Sequence, residues 1–363
     1  GKWLVVVMVL MIVLMYIFYA SQESQKCKDS NVSYRRAVNS VPKILAWTPY
    51  FSSSLKDRIM NRPCPYQCNV YNSSELSEED ADVIIFHFRD VDKKMPIPKK
   101  RRPDQIYVSF LKEAPIHAGN AVNIEHFAKN FFNSTVDYRV NNFTYSDLPI
   151  IRRVASEKDE SLMRPLSEEA FEEIVQRKTE SVLAVISNCH AESKRMNYIK
   201  ELSKHINITT MGGCFGKWRS TKEVEEMIKS HFFVIAFENI VCKDYATEKF
   251  FRIRKDIVPI VLRRRIMEGL APSSSFVAAD DYSSPRDLAA HLKSIVASRE
   301  EYRKFFDWRN THFIDEVDGF CNLCRDLHFK NVSASSQLNM QEYYSVKREC
   351  EMGTATSLLG KKM

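Results

Sequence analysis

The sequence lacks the short motifs of several large enzyme classes. We find no short internal repeat and no low-complexity tract. There is also no Gly-x-x-x-x-Gly-Lys-Ser/Thr phosphate loop, no Gly-x-Ser-x-Gly elbow and no His-Glu-x-x-His. Kinase-like, hydrolase and zinc-protease functions therefore have no local signature in this chain.

The charge pattern gives little support to nucleic-acid binding. The formal net charge is +7, and basic clusters occur at 99–102 and 263–265. Neither cluster is interleaved with aromatic residues, as binding of single-stranded nucleic acid requires. We expect no nucleic-acid partner, and we interpret the clusters as solvated loops or as a face for an anionic ligand.

One long apolar block stands near the start of the sequence. Residues 3–20 carry no charge and are rich in Val, Leu, Met and Ile. Because roughly 20 apolar residues cross a bilayer, the block predicts a transmembrane signal-anchor. A cleaved signal peptide is the alternative, but its apolar region is usually only about 7–15 residues long. Lys2 before the block, with Gln22 and Glu23 after it, favours a single-pass type II protein with a lumenal C-terminus.

Two further signals favour an oxidising, lumenal compartment. The chain has nine cysteines, so at least one is unpaired or intermolecular. Six Asn-x-Ser/Thr sequons follow the apolar block, and we expect them to be glycosylation sites. They are Asn31, Asn72, Asn133, Asn142, Asn207 and Asn331.

The length after the block predicts more than one domain. About 320 residues exceed what one hydrophobic core usually serves. Apolar runs alternate with helical patterns in two series, which predicts an α/β protein with two Rossmann-like domains whose parallel sheets face a cleft. We expect a polar stem over 21–41, an N-terminal domain over 42–165, a C-terminal domain over 178–330 and a tail over 331–363. Strands are expected at 44–48, 83–88, 106–110, 182–187, 232–237, 258–262 and 276–279, and helices at 192–205, 246–253 and 285–298.

Two Asp-x-Asp pairs raise the question of a divalent metal. Such a pair holds the ion against a nucleotide diphosphate in metal-dependent sugar transferases. Asp80 and Asp82 lie in an acidic run that we interpret as a helix ending before a strand. Asp90 and Asp92 keep a metal-dependent transferase open as an alternative.

The most informative segment is an apolar strand over 232–237 that leads into Glu238-Asn239 and then Thr247-Glu248-Lys249. Ligands of open α/β folds bind where parallel strands end, so polar groups at this point predict a binding site. A helix that opens at Thr247 would add free N–H groups, and Lys249 would add a full positive charge. These features suit a diphosphate, although an ordinary helix cap explains the same residues.

This segment resembles the signature of the α1,3-fucosyltransferases, a family of inverting enzymes with the two-Rossmann GT-B architecture. Further matches occur in the same order from about residue 43 to residue 328. They include Trp47-Thr48-Pro49-Tyr50-Phe51, Phe86-His87-Phe88-Arg89-Asp90, Glu113-Ala114-Pro115, Ser187-Asn188-Cys189, Lys194-Arg195, Asp307-Trp308-Arg309 and Cys321-x-x-Cys324.

The resemblance implies a role for each matching residue. Glu113 corresponds to the carboxylate proposed as general base, although Glu-Ala-Pro replaces the usual Glu-Ser-Pro. Arg195 and Lys249 correspond to cations on the donor pyrophosphate. The remaining implied residues are Asn239, Tyr245 and Glu248 at the donor GDP-fucose, and His87, Arg89 and Asp90 at the acceptor, where Arg accompanies α1,3 rather than α1,4 linkage.

The resemblance also implies the reaction and its setting. The expected activity is transfer of L-fucose from GDP-fucose to O3 of GlcNAc on a glycoprotein or glycolipid glycan, in the Golgi, with no required metal and at most stimulation by one. Related enzymes pair cysteines such as Cys64, Cys68, Cys321 and Cys324, either locally or between the ends of the chain, so we predict that all four are oxidised. A homodimer and the identity of the acceptor stay open.

One departure from the family pattern suggests a second alternative. Where the family has Gly after its Val-Pro-Val-Val-Leu strand, this chain has Arg263. A crowded loop beside the donor pocket would leave a catalytically impaired protein that still binds glycans in the lumen. Donor affinity without turnover would identify that case.

Overall fold

The computed structural model describes residues 41–91, 94–118, 127, 129–139, 144–316 and 318–359. The apolar block, the stem up to residue 40, the sequons at Asn31 and Asn142, and Asp92 lie outside the described residues. Within the described ranges, no helix is both long enough and apolar enough to span a bilayer.

The first half of the chain forms a six-stranded sheet. Its strands are β1 (Lys43–Ala46), β2 (Asn69–Asn72), β3 (Val83–His87), β4 (Ile106–Leu111), β5 (Ser134–Asp137) and β6 (Thr144–Ser146). The order is β2-β1-β3-β4-β5-β6 and every neighbouring pair is parallel. Every residue of β3 and β4 is buried, as expected of parallel strands that are covered on both faces.

The second half forms a five-stranded sheet and two small pairings. The strands are β7 (Ile150–Arg153), β8 (Glu180–Val185), β9 (Ile208–Met211), β10 (His231–Ile235), β11 (Val241–Cys242), β12 (Val258–Val261), β13 (Val277–Ala278), β14 (His312–Asp315) and β15 (Cys350–Glu351). The large sheet has the order β13-β12-β10-β8-β9 and is parallel throughout. Antiparallel pairs join β7 to β14 and β11 to β15. The fold is therefore α/β with two parallel sheets, as predicted.

The helices of the described residues begin at residues that favour helix starts. Ser284 caps one helix before Pro285, whose fixed φ suits the first helical turn, and Ser220 and Glu223 form a capping box on another. The helices are α1 (Leu55–Met60), α2 (Glu157–Glu160), α3 (Glu168–Gln176), α4 (Arg195–Leu202), α5 (Thr221–Ser230), α6 (Pro285–Ala297), α7 (Arg299–Lys304), α8 (Gly319–His328), α9 (Met340–Tyr343), α10 (Val346–Glu349) and α11 (Thr354–Ser357).

Helix α8 returns to the first sheet, although its sequence follows the second. Phe320, Leu323 and Leu327 of α8 are buried in the core cluster that contains residues of β3, β4 and β5. A side chain at Gly319 would come within 2.8 Å of the Tyr145 carbonyl oxygen, so this close approach needs glycine. The predicted second domain, 178–330, thus includes a helix that packs on the first sheet.

The C-terminal tail contacts both halves of the fold. Tyr344 packs in the aromatic core beside the first sheet. The tail then pairs β15 with β11 of the second half, and the backbone N–H of Ala355 donates to the carbonyl of Ser193 at 2.8 Å. The tail therefore connects the two sheets on one side of the molecule.

Four disulfides are present in the described residues. The cysteines predicted to be oxidised pair over long distances in sequence, as Cys64–Cys321 and Cys68–Cys324. These two disulfides link the first half of α8 to the segment that precedes β2. The other two are Cys189–Cys214 and Cys242–Cys350, of which the second anchors the tail.

The described sequons differ in their surroundings. Asn207 and Asn331 are exposed, and Asn72 is partly exposed. Asn133 is 3% exposed, and its amide donates to the carbonyls of Ala334 at 2.7 Å and Ser336 at 2.8 Å. The folded structure therefore leaves no room for a glycan on Asn133, contrary to the sequence-based expectation.

Two predicted helices are absent from their expected places. The acidic run before β3 forms turns rather than a helix. The region 246–253 has no α-helix, and a 3-10 helix starts only at Phe250 and runs to Lys255. At its start the backbone N–H of Phe250 donates to the carbonyl of Thr247, three residues earlier, at 3.0 Å, which is the hydrogen-bond pattern of a 3-10 helix and not of an α-helix.

Candidate active site

The ends of the two sheets meet at a set of polar and aromatic contacts. The Nδ2 amide nitrogen of Asn239, just beyond β10, lies 3.1 Å from Nε2 of His117, which follows β4. The ring of Tyr138, after β5, packs edge-on against Tyr245 with 4.9 Å between the ring centres. Because these residues follow the carboxyl ends of parallel strands, the contacts lie where ligands bind in such folds.

Glu113 and Arg89 lie together on the first wall of this cleft. Glu113 follows β4, and Arg89 is in the 3-10 turn Phe88–Asp90 after the neighbouring strand β3. The Arg89 guanidinium donates to the Glu113 carboxylate, and their side chains are 39% and 32% exposed. The carboxylate is paired with a cation and is still reachable from solvent, so an acceptor hydroxyl can approach it, as a general base requires.

His87 is buried under the other residues of the acceptor motif and does not line the cleft. Its ring is 1% exposed, and burial lowers the pKa of His87 more than the Asp90 carboxylate raises it. Neutral His87 therefore donates from Nδ1 to Asp90 Oδ2 at 2.7 Å. The implied acceptor role of His87 is indirect, whereas Arg89 and Asp90 are accessible.

His117 was not singled out from the sequence. It lies in the 3-10 turn Pro115–Ala118, four residues after Glu113. Burial lowers the pKa of His117 although the Glu113 carboxylate acts to raise it, so the ring is neutral at neutral pH. A neutral Nε2 accepts the hydrogen bond from Asn239, which places one hydrogen bond between the two walls.

Glu238 organises the second wall and was also missed as a functional residue. It is 3% exposed, and its Oε1 accepts hydrogen bonds from the backbone N–H of Thr247 at 2.8 Å and from the Thr247 hydroxyl at 2.7 Å. Its Oε2 accepts from Lys249 Nζ at 3.0 Å. Because Glu238 occupies the Thr247 N–H, that N–H is not free for a diphosphate.

Lys249 is a partly buried cation between two carboxylates. Its Nζ contacts Glu238 and also Glu248 Oε1 at 3.2 Å. Burial acts to lower the pKa of Lys249, but the two carboxylates outweigh it and the pKa lies above its ordinary value. The Glu248 side chain is 69% exposed and can reorient, whereas Glu238 is 2% exposed and fixed.

Arg195 and Arg252 add two cations with unused donors. Arg195 is 2% exposed and donates to the carbonyls of Phe237 at 2.7 Å and Asn188 at 3.0 Å. Burial lowers the pKa of both guanidinium groups, yet arginine stays charged in proteins. The Nε of Arg195 and one terminal nitrogen of Arg252 are buried without a hydrogen-bond partner. Buried donors without partners suit an anionic ligand that is not present here.

Arg263, where the family pattern has glycine, fits its place. Its φ of −130° is ordinary extended backbone, so the position does not need glycine. Its Nε donates to Glu351 of the C-terminal tail at 3.2 Å, and its guanidinium lies 3.8 Å from Asp280. Arg265 also pairs with Glu351. The tail carboxylate of Glu351 thus pairs with Arg263, which stands where the family pattern has glycine, and with the nearby Arg265.

The acidic residues considered for a metal are engaged in other contacts. Asp80 accepts from the Ser77 hydroxyl at 2.8 Å, and Asp82 accepts from the Lys43 backbone N–H at 2.7 Å. In the part of the chain that the structure describes, side chains that could share a metal group only at Cys68, Cys324 and His328, where the two cysteines form a disulfide.

Known proteins resemble this chain over most of its length. The C-terminal fucosyltransferase profile of glycosyltransferase family 10 matches residues 175–343, and an N-terminal fucosyltransferase profile matches residues 39–147. Alpha-(1,3)-fucosyltransferase fut-5 of Caenorhabditis elegans is 30% identical over 358 residues, which cover 91% of this chain and 89% of the relative.

Two further comparisons agree with this assignment. Human 4-galactosyl-N-acetylglucosaminide 3-alpha-L-fucosyltransferase 9 is 32% identical over 247 residues, covering 67% of this chain and 64% of the relative. A crystal structure of an alpha1,3-fucosyltransferase shares the fold at 14% identity, with a TM-score of 0.52 over 84% of this chain and 93% of that one. The chain therefore belongs to glycosyltransferase family 10 and is an α1,3-fucosyltransferase.

Proposed function

We propose that the enzyme transfers L-fucose from GDP-fucose to O3 of a GlcNAc residue in a glycan, with inversion at the anomeric carbon. One observation carries the proposal: an accessible carboxylate, Glu113, lies across the cleft from the buried Arg195 and the partly buried Lys249 and Arg252. A base on one side and cations on the other are what a one-step displacement of a nucleoside diphosphate requires.

Glu113 acts as the general base. In an inverting displacement the acceptor hydroxyl attacks from the face opposite the leaving group, and a base beside that hydroxyl takes its proton. The O3–H bond breaks as the bond from O3 to the anomeric carbon forms, and the proton passes to Glu113. Arg89, which holds the carboxylate here, is exposed enough to turn toward the acceptor as the sugar enters.

The second wall receives the departing GDP. Negative charge grows on the β-phosphate as the bond to the sugar breaks. Lys249 is positive at neutral pH, and the unused donors of Arg195 and Arg252 are buried near the same carboxylates. Fixed charges in a buried site stabilise such a transition state strongly, since one lost donor costs roughly 3–4 kcal/mol in comparable sites. With these cations no divalent metal is required.

The expected O3 linkage and the names of the relatives reduce the range of acceptor glycans that we propose for this enzyme. Arg89 occupies the position that accompanies O3 linkage in the family pattern, and the name of the human relative specifies a galactosylated GlcNAc acceptor. The altered loop at Arg263 is accommodated by Glu351, which supports turnover rather than a merely glycan-binding protein. A GlcNAc-containing acceptor of the N-glycan core, LacdiNAc or lactosamine type is proposed.

A glycan array tests this function. The full chain is incubated with GDP-fucose and the three acceptor types, and the product linkage is determined by mass spectrometry with fucosidase digestion. We expect fucose on O3 of GlcNAc in at least one series. A product linked only at O4 or O6 would remove the linkage assignment, and donor binding without any transfer would favour the glycan-binding alternative.

We also propose that the catalytic part is lumenal and anchored in the Golgi membrane through residues 3–20. Four disulfides in the described residues support an oxidising compartment. Protease protection of sealed microsomes tests it, because a lumenal catalytic part survives digestion until detergent is added.

A further inference from the structure

An exposed aromatic residue lies on a turn with unusual backbone geometry beside the predicted base. Phe51 is 45% exposed, and its φ is +47°. Its neighbour Ser52 also has a positive φ, of +64°. A bulky residue rarely adopts this conformation, and such outliers persist where the surrounding structure enforces them, often at ligand sites.

Polar contacts hold the turn in this conformation. The backbone N–H of Phe51 donates to Asp90 Oδ2 at 2.7 Å. Tyr50 and Ser53 exchange two backbone hydrogen bonds of 2.9 Å across the turn. Asp90 is itself fixed by the buried His87, whose ring centre lies 4.9 Å from that of Phe51. Two residues of the acceptor motif, His87 and Asp90, thus hold the turn that presents the Phe51 ring.

The Arg89 side chain contacts both the Phe51 ring and Glu113. The Arg89 guanidinium carbon lies 5.3 Å from the centre of the Phe51 ring, and the same guanidinium donates to the Glu113 carboxylate. An exposed aromatic surface and the predicted base therefore lie on either side of one arginine. A sugar whose hydroxyl points to Glu113 comes within reach of the ring.

We propose that Phe51 is a stacking platform for a pyranose ring of the acceptor glycan, and hence a residue that determines acceptor affinity. This inference rests on the proposed function. A pyranose presents an apolar C–H face beside its polar hydroxyls, and an aromatic ring offers a flat apolar surface with a negative face to it. Arg89 supplies hydrogen bonds to the hydroxyls at the edge of the same sugar. The platform acts on the acceptor, while the donor contacts lie on the opposite wall.

Three variants of Phe51 in the full chain test the platform. Phe51→Ala removes the ring and keeps the backbone restriction, Phe51→Gly removes the ring and relieves the restriction, and Phe51→Tyr keeps an aromatic face. Phe329→Ala is the matched control, because Phe329 is 61% exposed and follows α8 away from the cleft. For each variant, initial rates are measured over a range of acceptor concentrations at saturating GDP-fucose.

We expect the acceptor KM to rise about tenfold or more in Phe51→Ala and Phe51→Gly, which corresponds to loss of a single good contact. The value of kcat, the KM for GDP-fucose and the slow hydrolysis of GDP-fucose without acceptor should stay near those of the parent. Phe51→Tyr and Phe329→Ala should retain the parent acceptor KM. A fall in activity in Phe51→Ala that Phe51→Gly restores would indicate a backbone effect and would overturn the platform.

The outcomes distinguish a failure of the Phe51 platform from a failure of the proposed function. If the parent enzyme fucosylates an acceptor and both ring-removing variants keep its acceptor KM, the platform is wrong and the proposed function stands. If the parent binds GDP but transfers fucose to no acceptor, the proposed function is wrong and the platform falls with it.

Discussion

Asn239 and His117 lie 3.1 Å apart across the cleft, so one hydrogen bond joins the end of the second sheet to the turn that follows Glu113. Neither residue is close to the other in sequence. The bond fixes where the predicted base stands relative to the donor wall, and it depends on an uncharged imidazole.

The first prediction concerns this bond. In His117→Ala the partly buried Asn239 amide loses its hydrogen-bond partner, which costs about 1 kcal/mol. We expect kcat/KM to fall at least about fivefold. In the parent enzyme the bond needs neutral His117, and because burial lowers the pKa of His117, it persists below the pH at which a free histidine becomes charged. A pH profile of the parent tests this, and an unchanged kcat/KM in His117→Ala would show that the contact is incidental.

The second prediction compares the two carboxylates around Lys249. Glu238→Ala leaves the Thr247 N–H without its acceptor and leaves Lys249 with only the exposed Glu248 as a carboxylate partner, so the free energy of unfolding should fall by roughly 1–3 kcal/mol, together with loss of donor binding. Glu248→Ala removes an exposed partner of the same lysine and should cost less than about 1 kcal/mol. Chemical denaturation of both variants gives the difference, and equal losses would contradict the assignment of Glu238 as the structural partner.

The sequence predicted seven of the eleven strands of the two large sheets because these seven are apolar runs, and it missed β2, β5, β6 and β9, which are short and rich in polar residues. Fully buried strands such as β3 and β10 stand out between polar turns. Sequence patterns failed where a distant residue sets the contacts. Thr247 and Lys249 suggest an ordinary helix cap, but the Glu238 carboxylate binds the Thr247 N–H and Lys249, and only a 3-10 helix follows, over Phe250–Lys255.

The same reason explains the missed site residues. His117 belongs to the site because it contacts Asn239, which follows a strand of the other sheet. Glu238 belongs to it because the loop that follows brings Thr247 back to its carboxylate. His87 fits the acceptor motif by sequence, yet the fold buries its ring beneath Asp90 and Phe51. Motifs thus identified which segments form the site, while tertiary contacts decided which side chains face the ligand.

A third prediction concerns metal. Since Lys249, Arg195 and Arg252 occupy the place of a divalent ion in the proposed mechanism, turnover should survive EDTA, with at most a reduced rate. The assay compares initial rates with and without the chelator, using enzyme purified without added metal. Complete loss of activity that Mn²⁺ restores would contradict the proposed role of the cations.

A fourth prediction uses a lysine outside the site. Lys178 is buried and donates to the Ile228 carbonyl at 3.2 Å, and burial lowers its pKa to about 7. Between that pH and the ordinary lysine pKa, the unfolded chain binds a proton that the folded chain does not. Stability therefore rises with pH in this window, by up to about 1.4 kcal/mol per pH unit from this group.

Lys178→Met removes the effect. The free energy of unfolding of the parent should rise relative to that of Lys178→Met as the pH increases from 7 to about 10. Lys229→Met serves as the control, because Lys229 is half exposed on α5 and pairs only with Glu226 in the described contacts. Denaturation at several pH values measures the difference, and parallel curves for the parent and Lys178→Met would show that Lys178 keeps its charge when folded.

The last prediction separates chemistry from donor binding by comparing Glu113→Gln with Lys249→Ala. Glu113→Gln keeps the size of the side chain but removes the basic carboxylate, so the acceptor hydroxyl loses its proton acceptor while the donor wall is unchanged. Turnover should fall by about 10²–10⁴, with GDP affinity nearly constant. Lys249→Ala removes a cation from both the bound and the departing diphosphate, so GDP affinity and turnover should fall together. Calorimetry gives the affinity and product mass gives the transfer; near-normal turnover in Glu113→Gln would move the role of base to Asp90, the other accessible carboxylate of this wall.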